Sequence, residues 1–195
     1  MTDHEHYEAV VVGCGPGGAA AAATLTRNGV ETLVLERGVE AGSKNVSGGV
    51  IYAERSAPYT IDDLFPEFRA EATERPCTEN YIHNVAGDRV KTVDVSDLHH
   101  HDTDWADTVL RRHMDSWLED QVHEMTAETG GGLLTEVHVT GLLRDGGEIV
   151  GVETDELEPI EADLVVAADG VNSELARDAG LLDWEEPEEI GRAHV

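Results

Sequence analysis

The alternation of apolar and polar residues predicts an α/β fold that opens with a strand, a helix and a second strand. Residues 6–36 contain a run of valines, then an alanine-rich stretch, then a second short apolar run. Short continuous apolar runs are typical of buried strands, and a stretch of small residues between them favours a helix packed on those strands. We therefore predict a β-α-β unit that begins a Rossmann-like domain with a central parallel sheet.

The segments after this unit predict short strands around two helical stretches, with glycine-rich or proline-containing turns between them. In chain order, the predictions are a loop at 37–52, a short helix at 61–69 that ends before Arg75-Pro76, a β-hairpin of strands 81–83 and 90–95, an amphipathic helix at 109–128, short strands at 133–137, 140–143 and 149–153, and a buried strand at 162–170.

A glycine-rich turn joins the first strand to the first helix, and it reads Gly13-Cys14-Gly15-Pro16-Gly17-Gly18. Gly13 allows a sharp turn, Gly15 allows the backbone to approach a pyrophosphate, and Gly18 allows the helix to pack closely on the sheet. The N-terminus of the helix offers unpaired N–H groups to the phosphates. Glu36 ends the second strand, where its carboxylate can accept hydrogen bonds from ribose hydroxyls. The pattern predicts dinucleotide binding; a glycine turn in another α/β protein is the alternative, which leaves Glu36 unexplained.

Two further segments are candidates for the same site. Asp169-Gly170 follows the last strand at its carboxyl end, the edge at which open α/β sheets bind ligands. A simple turn and helix cap is the alternative reading. Residues 43–49 contain the adjacent Gly48 and Gly49, whose N–H groups can approach a flat ligand ring, whereas a flexible surface loop is the alternative.

Arg111 and Arg112 lie at the start of the long predicted helix at 109–128. A cation is disfavoured at a helix N-terminus, and an anionic ligand such as a phosphate would offset this cost. Surface solvation is the alternative. His99-His100-His101 is interpreted as a solvated loop rather than a metal site, because adjacent side chains cannot all face one ion. We predict no metal ligands in the chain.

The charge excludes some classes of partner. The 195 residues carry 41 Asp and Glu against 13 Lys and Arg, a net charge of −28. Such a field repels nucleic acid and anionic membrane surfaces. The acids are spread along the whole chain, and this pattern favours a protein adapted to molar salt, in which the Debye length falls to ~3 Å. With two cysteines and no visible signal peptide or spanning helix, an intracellular protein is expected.

Together these motifs resemble the FAD-dependent oxidoreductases of the glutathione-reductase type, and among them the FixC and electron-transfer-flavoprotein–quinone oxidoreductase family. The resemblance extends to about Trp184. Residues 42–52 are similar to the KN-(V/T)-SGG stretch of that family, which lies over the flavin. Thr108-Val109-Leu110-Arg111, followed by Asp115, Trp117 and Leu118, is similar to a family helix whose arginine approaches the cofactor.

The resemblance implies roles for the matching residues. Gly13, Gly15 and Gly18 would hold the pyrophosphate, Glu36 the adenosine ribose, and Val137 would lie by the adenine. The isoalloxazine would be bordered by Asn45, Ser47, Gly48 and Gly49, with Arg111 and Asp169 near the phosphates and the ribityl chain. The expected cofactor-binding set is completed by Pro16, Gly17, Arg37, Lys44 and Gly170.

The resemblance also implies an activity. The intact protein would pass electrons from an electron-transfer flavoprotein to quinone or a ferredoxin-like acceptor, with no catalytic acid or base. The intact protein would be cytoplasmic and would contact the inner face of the membrane through parts that this chain lacks. The alternatives are an FAD-dependent geranylgeranyl reductase, whose relatives typically carry a cysteine where Val46 and Ser47 stand, and an inactive nucleotide-binding fragment.

The expected domain organisation is discontinuous. Residues 1–75 and 105–184 are predicted to form the FAD-binding domain, and residues 76–104 to begin a substrate domain whose remainder would lie beyond residue 195. Residues 185–195 form a tail. Because residues 190–195 back-translate to ATC GGA AGA GCA CAC GTC, a common sequencing adapter, we expect the native sequence to stop near Glu188.

Overall fold

The computed structural model describes residues 5–53, 60–96 and 105–182. The predicted histidine loop at 99–101 and the predicted tail at 185–195 lie outside these residues. The chain forms two compact units, one of Met1–Ala41 with Glu119–Val195 and the other of Gly42–Leu118. In chain order, the elements are β1 (His6–Val12), α1 (Pro16–Arg27), β2 (Thr32–Leu35), β3 (Gly48–Tyr52), α2 (Ile61–Leu64), α3 (Phe68–Glu71), β4 (Arg75–Pro76), β5 (Tyr81–Ala86), β6 (Arg89–Asp94), β7 (Ala106–Leu110), α4 (Arg111–Glu128), β8 (Gly132–Leu134), β9 (Val139–Asp145), β10 (Glu148–Thr154), β11 (Ile160–Ala167) and α5 (Glu174–Asp178).

The first unit is built on a six-stranded sheet in the order β8-β2-β1-β11-β10-β9. The strands β8, β2, β1 and β11 are parallel, whereas β10 pairs antiparallel with both β11 and β9. The predicted α/β fold is confirmed, with an antiparallel edge added to the parallel sheet. Because β2 and β11 flank β1 on opposite sides, the sheet has a switch point at the end of β1, where such folds bind ligands.

The four parallel strands end level with one another. Val12 pairs with Leu35 on one side and with Ala167 on the other, and Leu35 also pairs with Leu134. The segments that follow these strands therefore start at one edge of the sheet. Three of these segments, which start at Gly13, Glu36 and Ala168, contain residues of the predicted nucleotide site.

Small residues allow α1 to pack on this sheet. Gly18, Ala19, Ala22 and Ala23 are buried on one side of the helix. The valines of β1 and all four residues of β2 are also buried, as the predicted apolar runs require. The strand β11 lies centrally in the sheet but is less buried than predicted, since Leu164 is 46% exposed.

The second unit corrects two predicted boundaries. Residues 48–52, expected within a loop, form the strand β3, which pairs antiparallel with β7. The predicted helix at 109–128 begins only at Arg111, because Val109 and Leu110 end β7 and pair with Gly49 and Gly48. In each segment, pairing between residues distant in the sequence overrides the local pattern.

The predicted helix at 61–69 is two short helices. Thr60 caps α2, since its hydroxyl and the carboxylate of Asp63 form a reciprocal capping box. The chain then turns at Phe65, and α3 begins at Phe68. Both phenylalanines are buried and lie edge-on to Trp117, with ring centroids 6.1 and 6.0 Å away. Trp117 therefore contributes to the core of this unit, as its position on the helix predicts.

The predicted hairpin is confirmed as β5 and β6, which are joined at Gly87-Asp88. Gly87 has a φ of 63°, a conformation that suits glycine. Every residue of both strands is exposed. Within the described part of the chain, no helix is both long and apolar enough to cross a membrane.

Candidate nucleotide-binding site

The glycine turn after β1 is fixed by close backbone packing. Gly13 has a φ of 96°, and a Cβ at this position would lie 2.5 Å from the carbonyl oxygen of Ala168. A Cβ on Gly18 would overlap the carbonyl oxygen of Gly13. The amide of Gly13 donates to the carbonyl of Leu35 at 2.8 Å. The first and last glycines of the motif are thus required for the turn to lie against both neighbouring strands.

The middle glycines have open space instead. A Cβ on Gly15 or on Gly17 would meet no atom within 4 Å. Gly15 is the N-cap of α1, and among the described residues no side chain hydrogen-bonds to this cap and no acid lies in the first turn. The amides of Gly13 and Cys14 are already bonded, so the N–H groups at the start of α1 and the partial positive charge of this 12-residue helix are what the turn offers to an anion. Helix N-termini of this kind suit phosphate groups.

Glu36 is tied to the glycine turn through its carboxylate. Oε2 accepts from the amide of Cys14 at 2.8 Å, and Oε1 accepts from the amide of Gly38 at 2.7 Å. Each oxygen retains a second lone pair, so the half-buried carboxylate can also accept from ribose hydroxyls. The link between Cys14 and Glu36 was not predicted, because backbone donors leave no signal in residue identity.

Val137 lies next to this acid. Its amide donates to the carbonyl of Glu36 at 3.0 Å, and the amide of Glu136 donates to the carbonyl of Gly38 at 2.9 Å. Glu136 has a φ of 60°, unusual for a residue other than glycine. The backbone after β2 and the backbone after β8 are thus paired, and the buried Val137 lies beside Glu36.

Asp169 follows β11 and uses its carboxylate as a helix cap. Oδ1 accepts from the hydroxyl of Ser173 at 2.6 Å, and Oδ2 accepts from the amide of Leu175 at 3.1 Å. Gly170 has a φ of 90° and is exposed. The turn-and-cap alternative for this motif is therefore present, at the same sheet edge as the glycine turn.

A further acid of this unit has an altered affinity for protons. Burial raises the pKa of Glu119, and the negative charges of Glu36, Glu40 and Asp120 act in the same direction. The amide of Ala41 donates to this carboxylate and opposes the shift. Glu119 and Glu36 are thus close enough for their charges to interact.

The second unit contains six of the predicted site residues, which are Lys44, Asn45, Ser47, Gly48, Gly49 and Arg111. The backbone carbonyl of Ser47 accepts from the amide of Arg111 at 3.0 Å, and Gly48 and Gly49 are the first residues of β3. All but Asn45 and Arg111 are exposed, as is Arg37 in the first unit.

Arg111 has a partner that the sequence argument missed. Its Nε and Nη2 donate to the carboxylate of Asp115 at 3.0 and 2.9 Å, one helical turn later. The same carboxylate accepts from Nδ2 of Asn45 at 2.7 Å. The i,i+4 spacing of an arginine and an aspartate was the available signal. Asp115, rather than a ligand alone, offsets the cost of a cation at this helix start.

The fold and the glycine turn are those of a Rossmann-like domain of the dinucleotide-binding class. The sequence model of the family described as "FAD dependent oxidoreductase" matches residues 8–186, and the chain belongs to this family. It is 34% identical over 192 residues to a probable electron transfer flavoprotein-quinone oxidoreductase, YdiS, of Escherichia coli. It is 36% identical over 198 residues to the protein FixC of Azorhizobium caulinodans.

These alignments cover 96% and 97% of the chain, which spans 42% of the length of either relative. The fold also resembles the crystal structure of a geranylgeranyl bacteriochlorophyll reductase-like protein from Thermoplasma acidophilum. The TM-score is 0.70 at 23% identity, over 91% of this chain and 42% of the other. The chain is thus a partial-length member of the FAD-dependent oxidoreductase family, related to FixC and to electron-transfer-flavoprotein–quinone oxidoreductases.

Proposed function

We propose that this chain binds FAD and forms the cofactor-binding part of an oxidoreductase that passes electrons from an electron-transfer flavoprotein to quinone or a ferredoxin-like acceptor. One observation carries the binding proposal. The glycine turn, Glu36 and Asp169 follow strands whose ends are level, and open space lies beside Gly15 and Gly17. The family match and the names of the curated relatives support the choice of cofactor and partners.

The proposed binding roles follow from the donors and acceptors present. N–H groups at the start of α1 would bind the pyrophosphate beside Gly13, Gly15 and Gly18, with Pro16 and Gly17 in the same turn. Glu36 would accept from the adenosine ribose, beside Val137. When bound, FAD supplies the centre that accepts and releases electrons, so no acid or base from the chain is required.

In the second unit, Asn45, Ser47, Gly48 and Gly49 would border the isoalloxazine, and Arg111 would supply positive charge. Arg37, Lys44, Asp169 and Gly170 complete the proposed set. We retain the domain proposal of residues 1–75 with 105–184 for FAD and 76–104 for the start of a substrate domain. We also propose that the intact protein is cytoplasmic and contacts the membrane peripherally through parts other than this acidic chain.

The acidic composition leads to a proposal about conditions. With a net charge of −28, self-repulsion favours expansion at low ionic strength and is screened in molar salt. We propose a salt-loving source, so binding assays belong in molar KCl. The free energy of unfolding should rise with KCl concentration, and full stability without salt would contradict this proposal.

A pair of glycine variants tests the proposed FAD site. In Gly15→Ala, the added methyl meets no protein atom, and the φ of −72° suits alanine, so the fold should be unaffected. The methyl would stand where the backbone must approach the pyrophosphate. We expect FAD to bind at least about tenfold more weakly, as measured by quenching of flavin fluorescence.

Gly132→Ala is the matched control, because a Cβ there also meets nothing within 4 Å and Gly132 is not in the proposed site. It should bind FAD like the wild type. Equal affinities of wild type and Gly15→Ala, or a wild type that does not bind FAD, would contradict the proposed site.

The electron-transfer proposal has its own test. Reduced electron-transfer flavoprotein should bleach the visible absorbance of the FAD-loaded protein. A loaded protein that this donor does not reduce would contradict the proposed partner but not FAD binding. Saturation of a prenyl double bond by the dithionite-reduced, FAD-loaded protein would instead favour the reductase alternative.

A further inference from the structure

The carboxylate of Asp115, on α4, is fully buried beside the loop that contains Gly42. Asp115 is 0% exposed, and a Cβ on Gly42 would lie 2.6 Å from the Cβ of Asp115. Gly42 has a φ of 74°, so the chain passes the aspartate in a conformation that suits glycine. The loop backbone is therefore packed directly on this carboxylate.

The carboxylate accepts three hydrogen bonds, and all three come from side chains proposed to bind FAD. Nε of Arg111 donates to Oδ1 at 3.0 Å, Nη2 of Arg111 donates to Oδ2 at 2.9 Å, and Nδ2 of Asn45 donates to Oδ2 at 2.7 Å. One buried group thus holds the two predicted residues of this unit that are not fully exposed.

The backbone of the loop is held by other bonds. The amide of Asn45 donates to the carbonyl of Gly42 at 2.8 Å, and the amide of Arg111 donates to the carbonyl of Ser47 at 3.0 Å. Gly48 and Gly49 are paired with Leu110 and Val109 in the sheet. Because these bonds do not involve the carboxylate, Asp115 fixes the direction of side chains rather than the course of the loop.

The contact with Asp115 determines which N–H groups of Arg111 remain for a ligand. A guanidinium has five N–H groups, and two of them are used by Asp115. The bidentate contact fixes the plane of the group, and its side chain is 34% exposed. The remaining N–H groups are therefore presented to an anion in one orientation instead of many.

The consequence for Asn45 is a defined amide orientation. A carboxylate only accepts hydrogen bonds, so the NH₂ of Asn45 must face Asp115. The carbonyl oxygen of the same amide then faces away and is an acceptor for an N–H group of a ligand. A flavin ring carries one such N–H group.

We propose that Asp115 is a positioning residue of the FAD site, which orients the guanidinium of Arg111 and the amide of Asn45 for the cofactor. This inference rests on the proposed function. A buried ion pair contributes little net stability, because desolvation opposes the attraction, so orientation is a better account of this pair than folding strength.

Three variants of the full chain in molar KCl test the inference: Asp115→Asn, Arg111→Gln and the double variant. Asparagine keeps the shape but loses the charge and one acceptor. We expect Arg111→Gln to weaken FAD binding about 10- to 100-fold and Asp115→Asn about tenfold. The double variant should be weaker than Arg111→Gln by less than the tenfold effect of Asp115→Asn alone, because the part of that effect that acts through Arg111 is already lost and only the orientation of Asn45 remains.

Asp107→Asn is the matched control. The Asp107 carboxylate is 7% exposed and accepts from Nη1 of Arg69 at 2.5 Å in the same unit, but neither residue is proposed to bind FAD. This variant should lose stability without a change in FAD affinity. If Asp115→Asn behaves in the same way while Arg111→Gln weakens binding, then Asp115 is only structural and the inference is wrong.

A wild type that does not bind FAD overturns the proposed function and the inference together. A purely structural role of Asp115 overturns the inference alone, so the two failures are distinguishable. Should Asp115→Asn fail to fold, NMR of the wild-type apoprotein remains decisive. The Nε–H of Arg111 should exchange at least about tenfold more slowly than that of the exposed Arg112. Equal exchange rates would overturn the inference.

Discussion

Two carboxylates of the first unit and two of the second, all buried or half-buried, are satisfied in different ways. In the first unit, Glu36 accepts from the backbone amides of Cys14 and Gly38, and Glu119 accepts from the backbone amide of Ala41. In the second unit, Asp115 accepts mainly from Arg111, and Asp107 accepts from Arg69. For these four carboxylates, the donors are backbone amides in the first unit and chiefly arginines in the second.

The difference is instructive because cations are scarce, with 13 Lys and Arg for 41 acids. A backbone amide satisfies a carboxylate without a cation, but it does so only where the chain can be folded tightly around the acid. An arginine satisfies the acid and is itself oriented by it. Under the proposed role of Asp115, the direction of Arg111 is what the second unit gains from such a pair.

The largest expected effect comes from disturbing the tightly folded backbone. A side chain on Gly18 would overlap the carbonyl of Gly13 and displace the turn that carries the amide of Cys14. Gly18→Val should lower the free energy of unfolding by roughly 3 kcal/mol or more in urea denaturation. Gly17→Ala, which meets no atom within 4 Å, should change it by less than about 1 kcal/mol. A stable Gly18→Val protein would show that the turn does not depend on this contact.

An intermediate loss of stability is expected when an acid that contacts Arg69 is removed. Arg69 contacts Asp107, whose side chain is 7% exposed, and Asp62, whose side chain is 37% exposed. Asp107→Ala should lower the free energy of unfolding by about 2–3 kcal/mol, since it removes the buried partner of a half-buried guanidinium. Asp62→Ala should cost at most about 1 kcal/mol. Equal losses in denaturant titrations would contradict the distinction between buried and exposed pairs.

The smallest effect is expected for Glu119, and its size depends on pH. Burial raises the pKa of Glu119 above its usual value of 4.5, so folding favours the protonated form. Its contribution to stability is then complete at low pH and is lost as the pH rises through the raised pKa. Glu119→Gln, which stays neutral, should be more stable than wild type at pH 7 and gain nothing at about pH 4. A gain that is the same at both pH values would contradict the assigned cause.

The sequence predicted the parts of the molecule that depend on local pattern. The β-α-β unit, the hairpin at Gly87-Asp88 and the strand before Asp169 are confirmed, because turn glycines and apolar runs determine them within a few residues. The roles of the predicted site residues remain proposals.

The parts that were missed depend on pairing across the sequence. The strand β3 is rich in glycine and exposed, and only its ladder with β7 makes it a strand. The shared partner of Asn45 and Arg111 was missed for the same reason, since Asn45 and Asp115 are distant in the chain. Donors from the backbone, as at Glu36, are invisible in any list of residue types.

The level ends of the parallel strands have a consequence for how this fold can vary. Val12 is paired with Leu35 and with Ala167, so β1 sets the register of both neighbours. Deleting one residue from β1 would turn its side chains to the opposite faces and draw the glycine turn back from Glu36 and Asp169 together. Insertions and deletions are therefore tolerated only in the loops and helices that connect the strands. The strands β1, β2 and β11 must keep their lengths relative to one another.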